Sequence, residues 1–258
     1  MDLIQSRQNP HLKHLIKLAS HRRDRLKSGQ TVLDGPHLLA AALDAGWAPQ
    51  RLFVTADGWE RAEIRQLCER AAAPVAMVDA ALFAEASELE SLSGVLALLD
   101  MPPGPAPRQD GVVLVLDGVQ DPGNVGSILR SAAAAGVDQV WLSPGCADVW
   151  SPKVLRAGMG AHFVLPLCER LDLAFALQAF AGTRAVTALE QSVGLYQADL
   201  SGNLALVMGS EGQGVSASLL ALADLRLRIP MRAGIESLNV AAAAAVCLFE
   251  RWRQSGAV

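Results

Sequence analysis

The side chains best suited to chemistry lie in three loops, and each loop follows an apolar segment of the chain. The first, within LDGVQDPGNVGSILRSA, follows an apolar run at 112–116. Its glycines let backbone N–H groups approach an anion at the start of a helix, where the helix dipole also favours negative charge. We expect Asn124 to cap this helix and Arg130 to follow about a turn and a half later. The alternative interpretation is an ordinary capped turn with a surface arginine.

The second loop, within LALVMGSEGQGVSASLL, follows a predicted strand that ends at Gly209. Its glycines are spaced G-x-x-G-x-G, which differs from the G-x-G-x-x-G of dinucleotide-binding loops, and no Walker lysine follows. Glu211 at the centre of the loop would repel a phosphate. The carboxylate therefore favours a neutral or cationic ligand, or a hydroxyl group that needs a hydrogen-bond acceptor. We expect Ser216 to cap the next helix.

The third loop, within IPMRAGIESLNVAAAAAVCLFE, joins a strand that ends at Ile229 and Pro230 to a long C-terminal helix. Ser237 is expected to cap that helix, so a well-capped helix start is one interpretation of the loop. The five alanines at 241–245 form a flat apolar surface that another element can approach closely. That element is either part of the same chain or a second subunit.

Apolar runs alternate with helical patterns along the chain, which is typical of α/β domains. In the C-terminal half, VVLVLDG is a continuous apolar run, as expected for a strand buried on both faces. Further strands are predicted within VDQVWLSPG, FVLPLC, TRAVTALE, LALVMGS and LRLRIPM, with helices between most of them. This order predicts an open, mostly parallel sheet whose ligand lies beyond the carboxyl ends of the strands.

The proline-rich segment LDMPPGPAPRQDG divides the chain. We predict a small α/β domain at residues 1–98, a stiff extended linker at 99–111 and a larger α/β domain at 112–258. Within the first domain, we predict a short strand, a turn and a helix in TVLDGPHLLAAALDAG, strands in RLFVTADG and PVAMVD, and helices in ERAEIRQLCERAA and AALFAEAS.

The composition limits the class of protein. Of the 258 residues, 51% are hydrophobic, and the net charge is only −4, so the chain is expected to fold. The longest apolar run, 240–249, is about half the length that a bilayer requires. Because the N-terminus also lacks the apolar stretch of a signal peptide, we expect a cytoplasmic protein without membrane contact.

Cysteine and histidine spacing argues against a disulfide framework and against a metal site. His11, His14 and His21 lie in a basic stretch without carboxylate or thiolate support. The four cysteines are far apart and form no C-x-x-C pair, and we expect them to be reduced: Cys68, Cys146, Cys168 and Cys247.

Positive charge is concentrated at the N-terminus. Seven Lys or Arg residues and two Asp residues give the first 30 residues a net charge of +5, so the remaining 228 residues carry −9. Apolar residues such as Leu12 and Leu15 recur there at helical spacing, so one helix face can pack while the other presents cations. From charge alone, a solvated helix face and a phosphate-contacting patch are equally compatible with this pattern.

Together and in this order, DGVQDPGNVGSILRSA, VMGSEGQGV and IPMRAGIESLNVAAA resemble the three motifs of the SpoU (TrmH-like) branch of the SPOUT RNA methyltransferases. The first half, with NPHLKHLIKLASHRRDR and TVLDGPHLLAAAL, resembles the L30e-like RNA-binding domain of the ribosomal-RNA members. The resemblance implies a catalytic sheet whose C-terminal stretch forms a deep trefoil knot, a rare exception among folds. It also implies S-adenosylmethionine as the cofactor, a homodimer that completes the active site, and methyl transfer to a ribose 2′-hydroxyl.

The resemblance also assigns roles to individual residues. It places Gly209, Ile229 and Leu238 at the backbone contacts to S-adenosylmethionine. The family's active-site positions are Asn124, Arg130, Glu211, Ser237 and Asn239. Arg130 is the family's proposed base, although a free guanidinium stays protonated in water. Because the resemblance implies that the first domain binds RNA, we expect the basic stretch to contact RNA, through Arg22, Arg23 and Arg25.

The sequence therefore predicts a ribose 2′-O-methyltransferase that acts on RNA, most readily 23S ribosomal RNA. A transfer-RNA methyltransferase and a non-catalytic RNA-binding or ribosome-assembly factor on the same fold are the alternatives. A dehydrogenase interpretation of the glycine loops fails on their spacing. The sequence does not identify the modified nucleotide or distinguish naked RNA from an assembling ribosomal subunit.

Overall fold

The computed structural model describes residues 2–87, 89 and 91–256 of the chain. These form two compact units. The first consists of the residues up to Pro103 together with Asp148–Phe163, and the second of Gly104–Ala147 together with the residues from Val164 onward. The segment Asp148–Phe163, which the sequence places among the elements of the larger domain, therefore packs with the N-terminal residues.

The first unit is built on a five-stranded mixed sheet with the order β1-β4-β3-β5-β2. Strand β5 runs antiparallel to both of its neighbours, and the other pairs are parallel. The elements are β1 (Asp2–Ile4), α1 (Pro10–Ser20), α2 (Arg22–Ser28), β2 (Gln30–Asp34), α3 (Pro36–Asp44), β3 (Arg51–Val54), α4 (Ala56–Glu60), α5 (Ala62–Ala71), β4 (Val75–Val78), α6 (Ala80–Ala84) and β5 (Val95–Asp100). Strands β1 and β5 and helix α4 were not predicted from the sequence.

The second unit contains the predicted parallel sheet, with seven strands in the order β10-β12-β9-β11-β6-β7-β8. All of its strand pairs are parallel. The elements are β6 (Val112–Asp117), α7 (Pro122–Ala134), β7 (Gln139–Leu142), α8 (Pro152–Gly158, which belongs to the first unit), β8 (Leu167–Cys168), α9 (Leu173–Gln178), β9 (Thr183–Thr187), β10 (Val193–Gly194), β11 (Leu204–Gly209), α10 (Ala217–Leu220), β12 (Leu225–Arg228) and α11 (Val240–Gln254). Strands β6 and β11 are buried almost throughout, which confirms their prediction as central strands.

The proline-rich segment is attached to the second unit from Gly104 onward. The buried side chain of Gln139 holds it there: Nε2 donates to the carbonyl of Ala106 at 3.0 Å, and Oε1 accepts from the N–H of Arg108 at 2.8 Å. Strand β5 continues to Asp100, so the first two residues of the predicted linker lie in a strand.

Helix α1 packs its apolar face into the core of the first unit. Leu12 and Leu15 are almost completely buried, as their helical spacing predicts, and so is Leu18, while Lys13 and Lys17 face solvent. Asn9 caps the helix by accepting from the N–H groups of His11 and Leu12.

The structure corrects the prediction that Arg25 contacts RNA, because the guanidinium of Arg25 is buried and already bound. Its side chain is 5% exposed, and Nε and Nη2 donate to Oδ2 of Asp148 at 3.0 and 2.5 Å. Nη1 donates to the carbonyls of Leu18 and Ala19. Arg25 therefore holds the segment Asp148–Phe163 to the first unit and offers no surface to RNA.

Removing Arg25 should destabilise the first unit strongly. Arg25→Ala leaves the carboxylate of Asp148 without its cation, a change that typically costs about 3–5 kcal/mol at buried pairs. The exposed neighbour provides a matched control, and Arg23→Ala should change stability by less than about 0.5 kcal/mol. Urea unfolding measures both variants. Equal stabilities of the two variants would show that the Arg25–Asp148 pair is not a structural contact.

His162 makes the stability of the first unit depend on pH. Its ring is buried against Trp150, and Nε2 lies 2.8 Å from the carbonyl of Val149. Burial lowers the pKa of His162 to about 4, because the interior disfavours the charged ring. The unfolded chain takes up the proton first, so stability that is present above about pH 6.5 is lost as the pH falls towards 4.

The contribution of His162 should appear as a difference between variants. We expect His162→Phe to lose less stability than the wild type between pH 7 and pH 4, by roughly 3 kcal/mol. His37→Gln, at an exposed histidine, should follow the wild-type curve. Parallel curves for the wild type and His162→Phe in urea unfolding would contradict the assigned shift.

Among the described residues, no helix combines the length and the apolar character needed to cross a membrane.

Candidate active site

The three loops singled out in the sequence meet at one edge of the parallel sheet. Because all the strands run in the same direction, their carboxyl ends lie together. The last residue of β6, Asp117, pairs in register with the last residue of β11, Gly209. The carboxylate of Asp117 accepts from the N–H of Ser216 at 2.9 Å, which ties the first loop to the second.

Helix α7 begins earlier than predicted, and this frees the side chain of Asn124. The N-cap is Asp121, whose Oδ1 accepts from the N–H of Asn124 at 2.8 Å. Asn124 is thus not the cap. Instead, its Nδ2 donates to Oε1 of Glu211 in the second loop at 2.6 Å.

The second loop folds tightly over Gly209. Ser210 and Gly214 exchange two backbone hydrogen bonds of 3.1 and 3.0 Å, which bring the end of the loop back to its start. A Cβ atom at Gly209 would lie 2.1 Å from the carbonyl carbon of Gly214, so only glycine fits here. Glu211 is exposed on the loop, and Ser216 precedes α10 without a side-chain capping bond.

Gly209→Ala should deform this loop. The added methyl would collide with the Gly214–Val215 backbone, an overpacking cost of about 1–3 kcal/mol that also displaces the cavity wall. Gly212 provides a control in the same loop, because a Cβ there meets nothing within 4 Å. We expect ligand affinity and thermal stability to fall in Gly209→Ala and to stay at wild-type values in Gly212→Ala. Similar behaviour of the two variants would contradict the steric role of Gly209.

The third loop ends at Asn239, which caps α11. Its Oδ1 accepts from the N–H groups of Ala241 and Ala242 at 2.9 and 3.2 Å. The predicted cap, Ser237, is instead exposed two residues earlier. Helix α11 packs on α7, so the alanine-rich start of α11 lies beside an element of the same unit, and Ala244 is fully buried.

A chain of side-chain hydrogen bonds connects the three loops. Asn239 Nδ2 donates to Asn124 Oδ1 at 2.9 Å, and Asn124 Nδ2 donates to Glu211 at 2.6 Å. Each asparagine makes a second contact: Asp121 accepts from the backbone N–H of Asn124, and the side chain of Asn239 accepts from the N–H of Ala241. The result is a positioned carboxylate with acceptor capacity for a cation or a hydroxyl group.

A cavity of about 820 Å³ opens beside this network, within the range of small-molecule sites. It is lined by residues 187–190, 208–215, 226–229 and 237–240, with Leu220, Met231 and Ala243. The lining includes six of the predicted site residues, namely Gly209, Glu211, Ile229, Ser237, Leu238 and Asn239.

Arg130 is a predicted catalytic residue that neither joins the network nor lines the cavity. It is exposed on α7, and six residues from Asn124 place it about 120° around the helix. Among the residues that the structure describes, it has no hydrogen-bond or ion-pair partner. Its guanidinium is therefore available to bind a ligand or a partner.

The loop after β9 is a part of the cavity that the sequence interpretation missed. It contributes residues 188–190, including the exposed carboxylate of Glu190, while the ends of β9 and β12 contribute Thr187 and Arg228. The signal was present, because TRAVTALE was predicted as a strand of the same sheet, and its carboxyl end had to lie at the same edge.

The four cysteines are buried and free, and none serves this site. Burial raises the pKa of Cys68 and Cys168 to about 11 and that of Cys247 to about 12. The pKa of Cys146 is raised as well, again mainly by burial. Thiols with such pKa values are poor nucleophiles at neutral pH, because the thiolate is the reactive form. Within the described part of the chain, no group of three or more His, Cys, Asp or Glu residues could hold a metal ion.

Comparison with known proteins agrees with this site. The model of the SpoU rRNA Methylase family matches residues 111–249, and that of the MRM3-like substrate binding domain matches residues 9–97. The chain is 37% identical to an uncharacterized tRNA/rRNA methyltransferase, slr1673, of Synechocystis sp., over 98% of this chain and 94% of that protein. It is 32% identical to the 23S rRNA (guanosine(2553)-2′-O)-methyltransferase RlmP of Bacillus subtilis, over 96% of this chain and 98% of that protein.

Solved structures show the same relationship. The SpoU methyltransferase AviRb from Streptomyces viridochromogenes, solved in complex with AdoMet, superposes with a TM-score of 0.85 at 28% identity, covering 96% of this chain and 98% of AviRb. The family model spans more than half of the chain, and the relatives match nearly all of it. The chain belongs to the SpoU rRNA methylase family.

Proposed function

We propose that this protein transfers a methyl group from S-adenosylmethionine to a ribose 2′-hydroxyl of ribosomal RNA. The observation that carries the proposal is the hydrogen-bonded chain Asn239–Asn124–Glu211 at the edge of the 820 Å³ cavity. Two relatives support it: RlmP is named as a 23S rRNA 2′-O-methyltransferase, and AviRb was solved with AdoMet.

The cavity suits S-adenosylmethionine in size and in charge. Its wall carries the carboxylates of Glu190 and Glu211, which complement a sulfonium and an ammonium group and would repel a nucleoside triphosphate. The lining also carries two cations: Arg226 is half-buried and donates to the neutral side chain of Gln191 at 2.7 Å, and Arg228 is exposed. The backbones of Gly209, Ile229 and Leu238 would hold the cofactor, as the family resemblance predicts.

The residues of the chain then have to position and activate a hydroxyl group. The cofactor supplies a methyl group on a sulfonium, which becomes a neutral thioether when the methyl leaves. The 2′-oxygen forms the new bond to carbon, and its proton must pass to an acceptor, because a neutral hydroxyl is a weak nucleophile. Glu211, oriented by Asn124, is a hydrogen-bond acceptor at the cavity edge.

Arg130 is proposed to contact the RNA at the reacting nucleotide. Its exposed guanidinium has several N–H donors that suit a phosphate, and a hydroxyl held beside the guanidinium loses its proton more readily than one in water, because the positive charge stabilises the alkoxide. Holding the hydroxyl in line with the methyl group supplies the remaining rate acceleration.

Ribosomal RNA is the favoured substrate, because residues 9–97 match a substrate-binding domain of the MRM3 type and RlmP acts on 23S rRNA. Transfer RNA is the second candidate, since the name of slr1673 includes both RNAs. Incubation with labelled S-adenosylmethionine and total RNA from cells lacking the protein, followed by size fractionation, separates the two. We expect label in the large ribosomal RNA. Label in transfer RNA alone would contradict the assignment of ribosomal RNA as the substrate. Cofactor binding without label in any RNA would favour a non-catalytic role.

A homodimer in the cytoplasm completes the proposal. Arg130 is exposed and does not line the cavity of its own chain, although the family resemblance places it in the active site. In a homodimer, Arg130 of one chain would lie at the cavity of the other, which accounts for both facts. Light scattering should then give twice the 27.2 kDa mass of the chain. A monomer in solution would remove this explanation for the position of Arg130.

A further inference from the structure

A groove on the first unit has no place in the proposed catalytic chemistry. It has a volume of about 440 Å³ and is lined by Arg7, Gln8, Lys13, Ile16 and Lys17. Three of these five side chains are cationic, and the apolar Ile16 lies between the two lysines in sequence. All five residues come from the loop before α1 or from α1 itself, whose opposite face is buried in the core.

The two lysines are placed for a ligand of opposite charge. Lys13 and Lys17 are four residues apart on one helix face, and like charges at this spacing destabilise a helix by a few tenths of a kcal/mol. The side chain of Lys17 has no hydrogen-bond or ion-pair partner among the described residues, and the ammonium group of Lys13 donates only to the neutral amide of Gln8. Their charges are therefore uncompensated within the described part of the fold.

Arg7 is held at the groove by an ion pair. Its Nε lies 2.8 Å from Oε2 of Glu85, and its side chain is still 71% exposed. The ion pair orients the guanidinium, and its two terminal nitrogens keep donors for a further acceptor. An oriented arginine beside two lysines that form no ion pair with a described residue makes a surface that matches the phosphates of a nucleic-acid strand.

The neighbouring helix α2 has fewer exposed cations that could bind a polyanion. Arg25 is buried in its pair with Asp148, and Arg22 is half-buried, which leaves Arg23 and Lys27 as exposed cations. Three exposed cations of the first 30 residues thus lie along α1 and the loop before it, against two on α2. A local cluster of this kind, and not the overall charge of −4, sets the field that a polyanion meets.

We propose that the groove formed by Arg7, Lys13 and Lys17 binds the phosphate backbone of the RNA substrate. This inference rests on the proposed function for the class of ligand. It assigns the contact to α1 instead of to the arginines of α2. Phosphate contacts of this kind position an RNA without reading its sequence, so the groove would add affinity to every RNA that the protein meets.

The test compares two double variants that remove the same charge. Lys13→Gln with Lys17→Gln alters the groove, and Arg23→Gln with Lys27→Gln alters exposed cations of α2 outside it. Binding of polyuridylate is measured by fluorescence titration over a series of KCl concentrations, with unfolding by urea as a check on the fold. Each lost phosphate contact on a single strand lowers the slope of log K against log salt by about 0.7.

We expect the groove variant to lose about 1.4 from the salt slope and roughly 25-fold in affinity near 0.1 M KCl, and the α2 variant to keep the wild-type slope. Equal losses in both variants, or a loss in the α2 variant alone, would overturn the proposal. Methyl transfer and cofactor binding are measured separately. If the wild type transfers no methyl group, the proposed function is wrong. The salt slopes still test whether the groove binds RNA.

Discussion

Arg130→Ala should lower the rate of methyl transfer by about 10²–10⁴-fold, the range of a group that assists proton transfer in a transition state. Binding of S-adenosylmethionine should be unchanged, because Arg130 does not line the cavity and contacts no described residue of the network. Single-turnover transfer to ribosomal RNA measures the rate, and calorimetry measures cofactor affinity. Since Arg130 is exposed, the variant should also unfold like the wild type.

Arg130→Lys separates charge from geometry. A lysine keeps the positive charge but loses the planar fork that contacts a phosphate and a hydroxyl together. We expect this variant to recover RNA affinity and to recover little of the rate. Full activity of either Arg130 variant would show that Arg130 does not assist the loss of the proton and would leave it as a surface residue.

Asn124→Asp should weaken cofactor binding by about 10–100-fold, the equivalent of losing one hydrogen bond to a charged group. The change replaces the N–H that donates to Glu211 at 2.6 Å by a second carboxylate. The two like charges would separate the first and second loops. The loss should diminish as the pH falls, because two adjacent carboxylates raise the pKa of one of them and can then share a proton.

The reciprocal exchange provides the control for Asn124→Asp. Adding Glu211→Gln supplies an amide that donates to the new carboxylate, so the contact between the loops is restored with donor and acceptor reversed. We expect cofactor affinity to recover in part in this double variant, because the contact between the loops returns, while the transfer rate stays low because the carboxylate has left position 211. A double variant as weak in cofactor binding as Asn124→Asp alone would show that the hydrogen bond does not hold the loops together.

The parallel sheet was predictable because its strands are marked by local pattern. Strands β6 and β11 are uninterrupted apolar runs, and the glycines, prolines and polar residues after them mark the loops. The convergence of those loops follows from the parallel order of the strands, without knowledge of any individual contact. Membership of the family followed from three motifs in the correct order.

The contacts that make the site were not predictable, since they join residues remote in sequence. Asn124 reaches Glu211 across 87 positions and Asn239 across 115. Helix caps were assigned to the wrong residue twice for a local reason. Both α7 and α11 have two polar candidates near the start, and the unused candidate, Asn124 or Ser237, has another position in the site.

The burial of Arg25 shows the same limit in the first unit. A basic stretch in sequence looks uniform, but Arg25 meets Asp148 across 123 positions and enters the core. Nothing in the spacing of the arginines distinguishes Arg25 from its exposed neighbour Arg23. The knot implied by the family resemblance stays a prediction.

The most direct measurement is the position of the transferred methyl group. Ribosomal RNA from cells that lack the protein is incubated with labelled S-adenosylmethionine and the wild type or Arg130→Ala, and is then hydrolysed with alkali. A 2′-O-methyl group blocks cleavage at its own nucleotide, so we predict label in an alkali-resistant dinucleotide with the wild type and almost none with the variant. Label in mononucleotides would mean methylation of a base, and it would contradict transfer to the ribose hydroxyl.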